Sequence, residues 1–183
     1  RSAAAALAVL PQIASVSGVS GYAVTSIADG EAEIATAHDV GARALFFGTP
    51  GYPQALADLP DAPPILWAMG DPAHAARPMV ALVGARNASS LGTRMAAKLA
   101  EGLAGAGYAV VSGLARGIDA AAHTAALNAG GSTVAVQAGG VDVIYPVENT
   151  ALAARIAEGG LRLSEQPVGL APLARHFPLR NRI

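Results

Sequence analysis

The chain contains no cysteine, and this absence excludes several kinds of chemistry. Without thiols it can form no disulfide, no thiolate metal site and no cysteine nucleophile. Its apolar runs are also too short for a membrane span, which needs about 18 consecutive apolar residues. We therefore expect a protein of a reducing compartment, with no membrane partner.

Lysine is nearly absent as well, because eleven of the twelve basic side chains are arginine. The net charge of −1 conceals an asymmetry along the chain. Positions 1–78 hold three basic and seven acidic residues, whereas positions 79–183 hold nine and six. A surface that binds anions is therefore expected in the second part, whose net charge is +3.

Positions 79–183 alternate short apolar runs with helix-like segments. The predicted strands are 79–83, 108–112, 132–137 and 161–164, and the predicted helices are about 90–104, 117–128 and 149–158. Because the apolar runs are continuous, both faces of each strand should be covered. The pattern predicts right-handed crossovers, and therefore an α/β domain whose parallel sheet is flanked by helices.

Positions 31–78 predict a connecting segment that adds strands to the same sheet. The expected elements are a short helix at 31–40, strands at 42–47 and 65–69, and a helical turn at 52–59. Positions 1–30, in which Gly30 is one of three glycine breaks, are too short to form a core alone. Arg1–Leu10 is interpreted as the end of a helix and not as a targeting segment.

A glycine turn follows the first strand of the regular part, in Gly84-Ala-Arg-Asn-Ala-Ser-Ser90. Gly84 lets the backbone turn and a ligand approach closely, and Ser89 or Ser90 is expected to cap the next helix. The start of that helix suits a phosphate, and Arg86 adds a positive charge. The loop is neither the G-x-G-x-x-G fingerprint nor the G-x-x-x-x-G-K-[ST] loop. Glycine turns at this place also occur in folds that bind no ligand.

A second glycine turn follows the next strand and contributes Ser112, Gly113, Arg116 and Gly117. It should lie beside the first turn, since parallel strands end at one edge of the sheet. Asp119 and His123 follow, four residues apart on one helix face. They are either a general acid–base pair, residues that orient Arg116 and the loop, or a helix-dipole Asp hydrogen-bonded to His123. The orienting and the structural interpretations are favoured over the catalytic one.

Two further segments are expected at the same edge. The last eight residues include Phe177, Arg180, Asn181 and Arg182, which combine charge with a ring on which a base can stack. Prolines make a long helix there improbable, so a coil should place Arg180 or Arg182 within about 8–10 Å of the Arg86 loop. A solvated basic terminus is the alternative.

The segment Gly139–Asn149 follows the third strand of the regular part. Its carboxylates, Asp142 and Glu148, could bind a metal or act in acid–base chemistry, but their spacing does not single out a metal site. A helix-cap role for Asn149 is favoured.

Six segments of the chain together resemble one known family. They are Val83-Gly-Ala-Arg86, Ser112-Gly-Leu-Ala-Arg-Gly-Ile-Asp119, Gly131-Ser-Thr-Val-Ala-Val136, Asp142-Val-Ile-Tyr-Pro146, Ser164-Glu165 and Phe177-Pro-Leu-Arg-Asn-Arg-Ile183. The family is that of the DNA-processing protein DprA, also called Smf. The resemblance is specific over positions 79–183, while positions 1–30 resemble only weakly the end of the family's sterile-alpha-motif-like helical domain.

The resemblance implies an extended Rossmann-like fold with a remnant of a small N-terminal helical domain. It implies a cytoplasmic bacterial protein that binds single-stranded DNA, helps to load RecA in natural transformation, and is not an enzyme. By motif, Arg86 and Arg180–Arg182 should line the DNA pocket, with Gly84 and the Gly113–Gly117 loop at phosphate. No cofactor and no metal are implied. A homodimer is implied for family members, which continue beyond position 183 through much of the surface for dimerisation and RecA.

An enzyme acting on nucleotides is the alternative hypothesis. Rossmann-like phosphoribohydrolases resemble this arrangement, but they carry a P-G-G-x-G-T-x-x-E signature. This chain has Gly139-Gly140 there without the Gly-Thr-x-x-Glu that should follow. A nicotinamide-dependent oxidoreductase is disfavoured because the G-x-G-x-x-G fingerprint is missing.

Overall fold

The computed structural model describes residues 3–183, so the first two residues of the predicted N-terminal segment lie outside the described residues. Two compact units divide the chain, Arg1–Ala35 and Thr36–Ile183. The first unit contains α1 (Ala3–Val16) and most of α2 (Ile27–Asp39). In α1 the helix continues past Pro11, beyond the predicted end at Leu10.

The start of α2 corrects the prediction of a break at Gly30, which lies inside this helix. The Ser26 hydroxyl accepts a hydrogen bond from the Asp29 N–H (3.1 Å), and the Asp29 carboxylate accepts one from the Ser26 N–H (3.3 Å). This reciprocal capping satisfies two N–H groups that the helix start would otherwise leave without partners. The helix therefore begins four residues earlier than glycine content suggested.

The second unit is built on one six-stranded sheet. Its strands are β1 (Arg43–Phe46), β2 (Ile65–Gly70), β3 (Met79–Ala81), β4 (Ala109–Ser112), β5 (Ser132–Gln137) and β6 (Leu161–Ser164). The strand order is β1-β2-β6-β5-β4-β3, and β3 to β6 are parallel. The α/β class and the parallel sheet are thus confirmed. The extra strands β1 and β2 run antiparallel to each other, and β2 runs antiparallel to β6.

The further helices of the second unit are α3 (Gln54–Ala57), α4 (Ser90–Gly105), α5 (Ile118–Asn128), α6 (Thr150–Gly159) and α7 (His176–Arg180). Of these, α4, α5 and α6 pack against the strands. Short 3₁₀ turns cover Pro72–Ala76 and Val147–Asn149. Ser89 caps α4 as predicted, because its hydroxyl accepts a hydrogen bond from the Gly92 N–H at 3.2 Å.

The core lies on both faces of β5, whose six residues are all buried. Val134 and Val136 pack on one face with leucines of β2 and β6, while Ala135 packs on the other face with Ile156 of α6. This alternation follows from the two-residue period of a strand. The small side chain of Ala135 leaves room for the helices, and the sheet becomes a rigid platform for the loops that leave its carboxyl edge.

Candidate functional site

Loops after β3, β4 and β5 meet the C-terminal segment at the carboxyl edge of the sheet, where ligands bind in open α/β folds. They surround a pocket, here termed the arginine–aromatic pocket, whose main side chains are Arg86, Arg116, Tyr145, Phe177 and Arg180. Gly113, Ala115 and Pro146 complete its wall. Three guanidinium groups and two aromatic rings therefore face one concave surface.

Arg86 lies in the loop after β3 and reaches the C-terminal segment. Its guanidinium carbon stands 5.4 Å from the centre of the Phe177 ring, within the range of a cation–π contact. Phe177 also meets Tyr145 edge to face, with ring centres 5.8 Å apart. Among residues 3–183, no carboxylate pairs with Arg86. Its charge is therefore available to an anion that enters the pocket.

Arg180 fixes the C-terminal segment to the sheet edge. Its Nη1 donates to the carbonyl oxygen of Gly113 at 3.1 Å and to that of Val136. Burial lowers the pKa of Arg180, the Asp119 carboxylate raises it and Arg86 lowers it further. The guanidinium still stays protonated near neutral pH, because an arginine pKa normally lies far above 7.

The C-terminal segment was predicted to be a coil near this edge. It stays near the edge but forms the short helix α7, which carries Phe177 and Arg180. Pro178 is tolerated there because the first turn of a helix has no internal partner for its N–H groups.

Arg182 and Asn181 face different partners from Arg180. Arg182 donates to the Glu165 carboxylate and to the Asp61 carbonyl oxygen, and its Nη1 lies 3.7 Å from the Asp61 carboxylate. The Asn181 side-chain oxygen accepts from Arg180 Nε at 3.2 Å. Arg182 borders a neighbouring open cavity rather than the arginine–aromatic pocket. Its charge is balanced within the protein, unlike that of Arg86.

The loop glycines support contacts between the loops. At Gly117, where φ is +77°, an added Cβ would lie 2.7 Å from the Arg86 carbonyl oxygen. The Ile118 N–H donates to the Ala85 carbonyl oxygen at 3.3 Å, which joins the two loops directly. A Cβ at Gly84 would lie 2.6 Å from the Ile118 side chain. Close packing of protein on protein therefore accounts for these glycines, which were expected to admit a ligand.

Asp119 occupies the position that an orienting role requires. Its Oδ2 accepts hydrogen bonds from the N–H groups of Gly113 (3.1 Å) and Ala115 (3.3 Å). Those two N–H groups, which were expected to contact phosphate, are therefore engaged inside the protein. Side-chain guanidinium groups, and not these amides, are the donors that this loop offers to an anion.

His123 does not contact Asp119 as one interpretation expected, because it is buried between α5 and β5. Its Nδ1 lies 2.7 Å from the Thr133 hydroxyl, which itself donates to the Val110 carbonyl oxygen. The hydroxyl proton is thus used, so Nδ1 carries a proton and donates to Thr133. Burial lowers the pKa of His123 to about 3, and the Ser112 backbone opposes part of that shift. The buried Nε2 atom has no hydrogen-bond partner among the described residues. His123 is a neutral core residue.

The predicted serines serve the framework in this structure. The Ser112 hydroxyl is buried and donates to the Leu82 carbonyl oxygen at 2.6 Å, which fastens β4 to the chain leaving β3. Ser89 caps α4, and Ser90 begins that helix at the surface. Of the three predicted serines, only Ser89 and Ser90 are exposed to solvent.

Sequence reasoning missed Tyr145, whose ring is exposed beside Phe177. The available signal was an aromatic residue in the loop after β5, at the same sheet edge, where the sequence analysis considers Asp142, Glu148 and Asn149. Buried polar side chains of β5 and β6 hold that loop in place. Arg162 Nε donates to the Gln137 side chain (3.0 Å), and the Gln137 amide donates to the Val143 carbonyl oxygen (2.9 Å).

Asn149 does not cap α6 with its side chain, which corrects that prediction. Its Nδ2 donates instead to the Leu114 carbonyl oxygen at 2.8 Å. Leu114 is buried and has a φ of 56°, a left-handed conformation unusual for a residue other than glycine. Asn149 thus stabilises the second loop from the loop after β5. Asp142, the other residue considered there, accepts from the Gly169 N–H at 2.9 Å.

Neither a metal cluster nor a membrane span is found in the part of the chain that the structure describes. No group of three or more His, Asp or Glu side chains there could hold a metal ion. No helix over residues 3–183 is long and apolar enough to cross a membrane.

Comparison with known proteins gives consistent similarities. The model of the family described as DNA recombination-mediator protein A matches residues 43–183. The DNA processing protein DprA of Streptococcus pneumoniae is 46% identical over 132 residues, which cover 72% of this chain and 46% of that protein. Protein Smf of Synechocystis is 44% identical over 138 residues, 73% of this chain and 35% of that protein.

Two solved structures are also similar. The X-ray structure of S. pneumoniae DprA superposes with a TM-score of 0.78 at 35% identity, over 93% of this chain and 62% of that one. DNA processing protein A of Helicobacter pylori, whose structure concerns its single-stranded DNA binding mode, gives 0.69 at 32% identity, over 76% and 62%. The chain thus spans about a third to a half of the curated relatives cited above.

Proposed function

This chain belongs to the DNA recombination-mediator protein A family, and from that premise we propose that it binds single-stranded DNA at the arginine–aromatic pocket. One observation carries the proposal: three guanidinium groups and two aromatic rings line the same concave surface. Arginine is well suited to phosphate because its planar donors can bind two oxygens at once. Aromatic rings stack on any base of a single strand, at about 1–3 kcal/mol per base.

Binding should be nearly independent of base sequence. The proposed donors are arginine side chains directed at phosphate, and such contacts fix a strand without reading its bases. Stacking on Phe177 or Tyr145 is equally tolerant, since every base has a π face. Duplex DNA should bind more weakly, because its bases are already stacked on one another and cannot reach the rings.

Within this proposal the protein acts as a recombination mediator that helps to load RecA on incoming DNA in natural transformation. The family and the single-strand chemistry of the pocket support that role. RecA is thus the proposed protein partner, and its rate of filament assembly on a single strand, with and without this protein, is the measurement. A homodimer stays a prediction, which the mass in solution by sedimentation will decide.

The alternative, a nucleotide-cleaving enzyme, is not favoured. Each carboxylate considered at this edge has a partner: Asp119 with loop amides, Asp142 with the Gly169 N–H, and Glu148 with Arg116. None is placed as an unpaired acid or base beside the rings. We propose that the protein binds without a chemical step.

The test is a titration of fluorescent single strands, duplex and mononucleotides, run beside an assay of AMP hydrolysis. Arg86→Ala should weaken single-strand binding by about 1–3 kcal/mol, the scale of hydrogen bonds to charged groups. Lys98→Ala is the control, because it removes one positive charge from an exposed site on α4 about 12 Å along the helix from Ser90. Equal affinities of the two variants, with both folded by circular dichroism, would remove Arg86 from the site.

A further inference from the structure

Arg116 differs from the other two arginines of the pocket because it faces a carboxylate. Its Nη1 lies 3.6 Å from Glu148 Oε1, and the two side chains are 60% and 56% exposed. Arg86 rests on an aromatic ring, and Arg180 donates to backbone carbonyls. Among residues 3–183, Glu148 is the only carboxylate that pairs with an arginine of this pocket.

We propose that Glu148 is a resident counter-ion, which a DNA phosphate displaces from Arg116 when a strand enters. The proposal rests on the proposed function, since it requires phosphate to reach the pocket. The two residues belong to different loops, after β4 and after β5, so the ion pair closes the rim between them. A strand that reaches Arg116 must open this contact.

Because both side chains are exposed, breaking the Arg116–Glu148 ion pair costs little free energy. Exposed ion pairs contribute little to stability, because water screens the charges and two long side chains must be ordered. A phosphate offers more oxygen acceptors than Glu148 uses in its single contact with Arg116. Glu148, once released, turns to solvent without moving a strand or a helix, because it lies in a 3₁₀ turn at the surface.

A resident carboxylate also limits mutual repulsion among the pocket arginines. Burial lowers the pKa of Arg180, Asp119 opposes that shift and the nearby Arg86 adds to it, as expected for two positive charges in one pocket. Glu148 offsets part of this charge in the free protein. In the complex the phosphates take over that task, and Glu148 then opposes binding because it repels them.

The salt dependence of binding should therefore change when Glu148 is neutralised. Salt weakens the Arg116–Glu148 contact in the free protein and screens the repulsion in the complex, so both effects make the wild-type response to salt shallower. In Glu148→Gln the slope of log affinity against log salt should steepen by part of the roughly 0.7 expected per phosphate. Affinity at low salt should rise about two- to fivefold, the range that exposed ion pairs allow.

Glu158→Gln is the matched control, because it removes the same charge from an exposed residue near the far end of α6. Glu148 lies in the 3₁₀ turn before α6, whereas Glu158 stands about 12 Å along α6 from its first residue, Thr150. This distance exceeds the Debye length of about 8 Å at physiological salt. Glu158→Gln should leave the affinity and the salt slope as in the wild type.

A double-mutant cycle assigns the effect to the pair. In an Arg116→Gln background, Glu148→Gln should have a smaller effect on affinity, because no resident contact remains to be displaced and only the repulsion of phosphate is left. An undiminished effect in that background would mean that Glu148 acts on the DNA by general repulsion, and would overturn the exchange with Arg116.

A decrease in DNA affinity in Glu148→Gln would contradict the proposal. If Glu148 instead orients Arg116 toward the strand, Glu148→Gln should weaken binding and leave the slope unchanged or shallower, which overturns the proposal. If Arg86→Ala weakens binding but Glu148→Gln does not change it, the counter-ion role of Glu148 is wrong and the proposed function stands. A wild type that binds no single strand would overturn the proposed function, and the counter-ion with it.

Discussion

Gly113 determines the position of Arg180, because the guanidinium occupies the space in which a Cβ atom would stand. A Cβ built at Gly113 would lie 2.7 Å from Arg180 Cζ, closer than real contacts allow. Arg180 cannot retreat without losing its hydrogen bonds to the carbonyls of Gly113 and Val136. A single methyl group in this loop therefore acts on the pocket.

Gly113→Ala should consequently displace the Arg180 guanidinium and weaken single-strand binding by about 1.5–3 kcal/mol, the scale of a hydrogen bond to a charged group. The measurement is a titration with single-stranded DNA at fixed salt, alongside urea unfolding. Gly102→Ala in α4 is the control, because nothing lies within 4 Å of its added Cβ, and alanine favours a helix. Unchanged binding in Gly113→Ala would mean that the arginine has no fixed role in the pocket.

The position of a single residue could be predicted from the sequence where it depends on one chain segment alone. Arg86 lies in the short loop that follows β3, so the sheet edge locates it. Tyr145 and Asn149 depend on how an eleven-residue loop folds over another loop, which no local pattern encodes. Arg182 pairs with Asp61, 121 positions away, so its neutralisation could not be foreseen.

At the scale of elements, α5 begins without a side-chain cap at Gly117, and Asp119 in its first turn holds the loop that precedes the helix. The carboxylate holds two loop N–H groups and also lies near the positive end of the helix dipole. Asp119→Asn keeps the shape but removes the charge. It should lower the free energy of unfolding by about 1.5–3 kcal/mol, the scale of hydrogen bonds to a charged group, and weaken strand binding.

Urea unfolding and a strand titration check this expectation, with AMP hydrolysis absent in both forms. Asp71→Asn serves as control, because Asp71 caps the exposed 3₁₀ turn Pro72–Ala76 far from the pocket. AMP turnover by the wild type that disappears in Asp119→Asn would favour the enzyme hypothesis instead.

The elements between positions 79 and 164 followed the sequence closely. Strand β5 has the predicted bounds, and α4 and α6 end one residue from prediction. Continuous apolar runs separated by glycines explain this agreement. The helices α1, α2 and α7 were missed or shortened because they depend on capping and on tolerated prolines, which outweigh residue propensity.

At the scale of the whole molecule, buried His123 couples stability to pH. Its pKa is about 3 in the folded protein, whereas an unfolded histidine titrates near pH 6.5. Between these values the unfolded chain binds a proton that the folded chain does not, so acid favours unfolding. The stability present above about pH 6.5 is lost progressively toward pH 3, by up to about 1.4 kcal/mol per pH unit.

Urea unfolding from pH 7 to pH 4 should therefore show a shallower loss of stability in His123→Gln than in the wild type. His38→Gln, at an exposed position of α2, should keep the wild-type pH dependence. His74, whose pKa burial also lowers, contributes in all three proteins. Parallel curves for the wild type and His123→Gln would contradict the buried neutral histidine.

The C-terminal position of Arg180 has a consequence for the order in which the protein acquires its function during synthesis. Gly113 and Arg180 are 67 positions apart, yet they form one wall of the pocket. At roughly 5–20 residues per second, a ribosome needs several seconds to add the second partner after the first. A nascent chain that has already built β3, β4 and β5 still lacks Phe177 and Arg180, so the proposed binding of single-stranded DNA requires that α7 has also been translated.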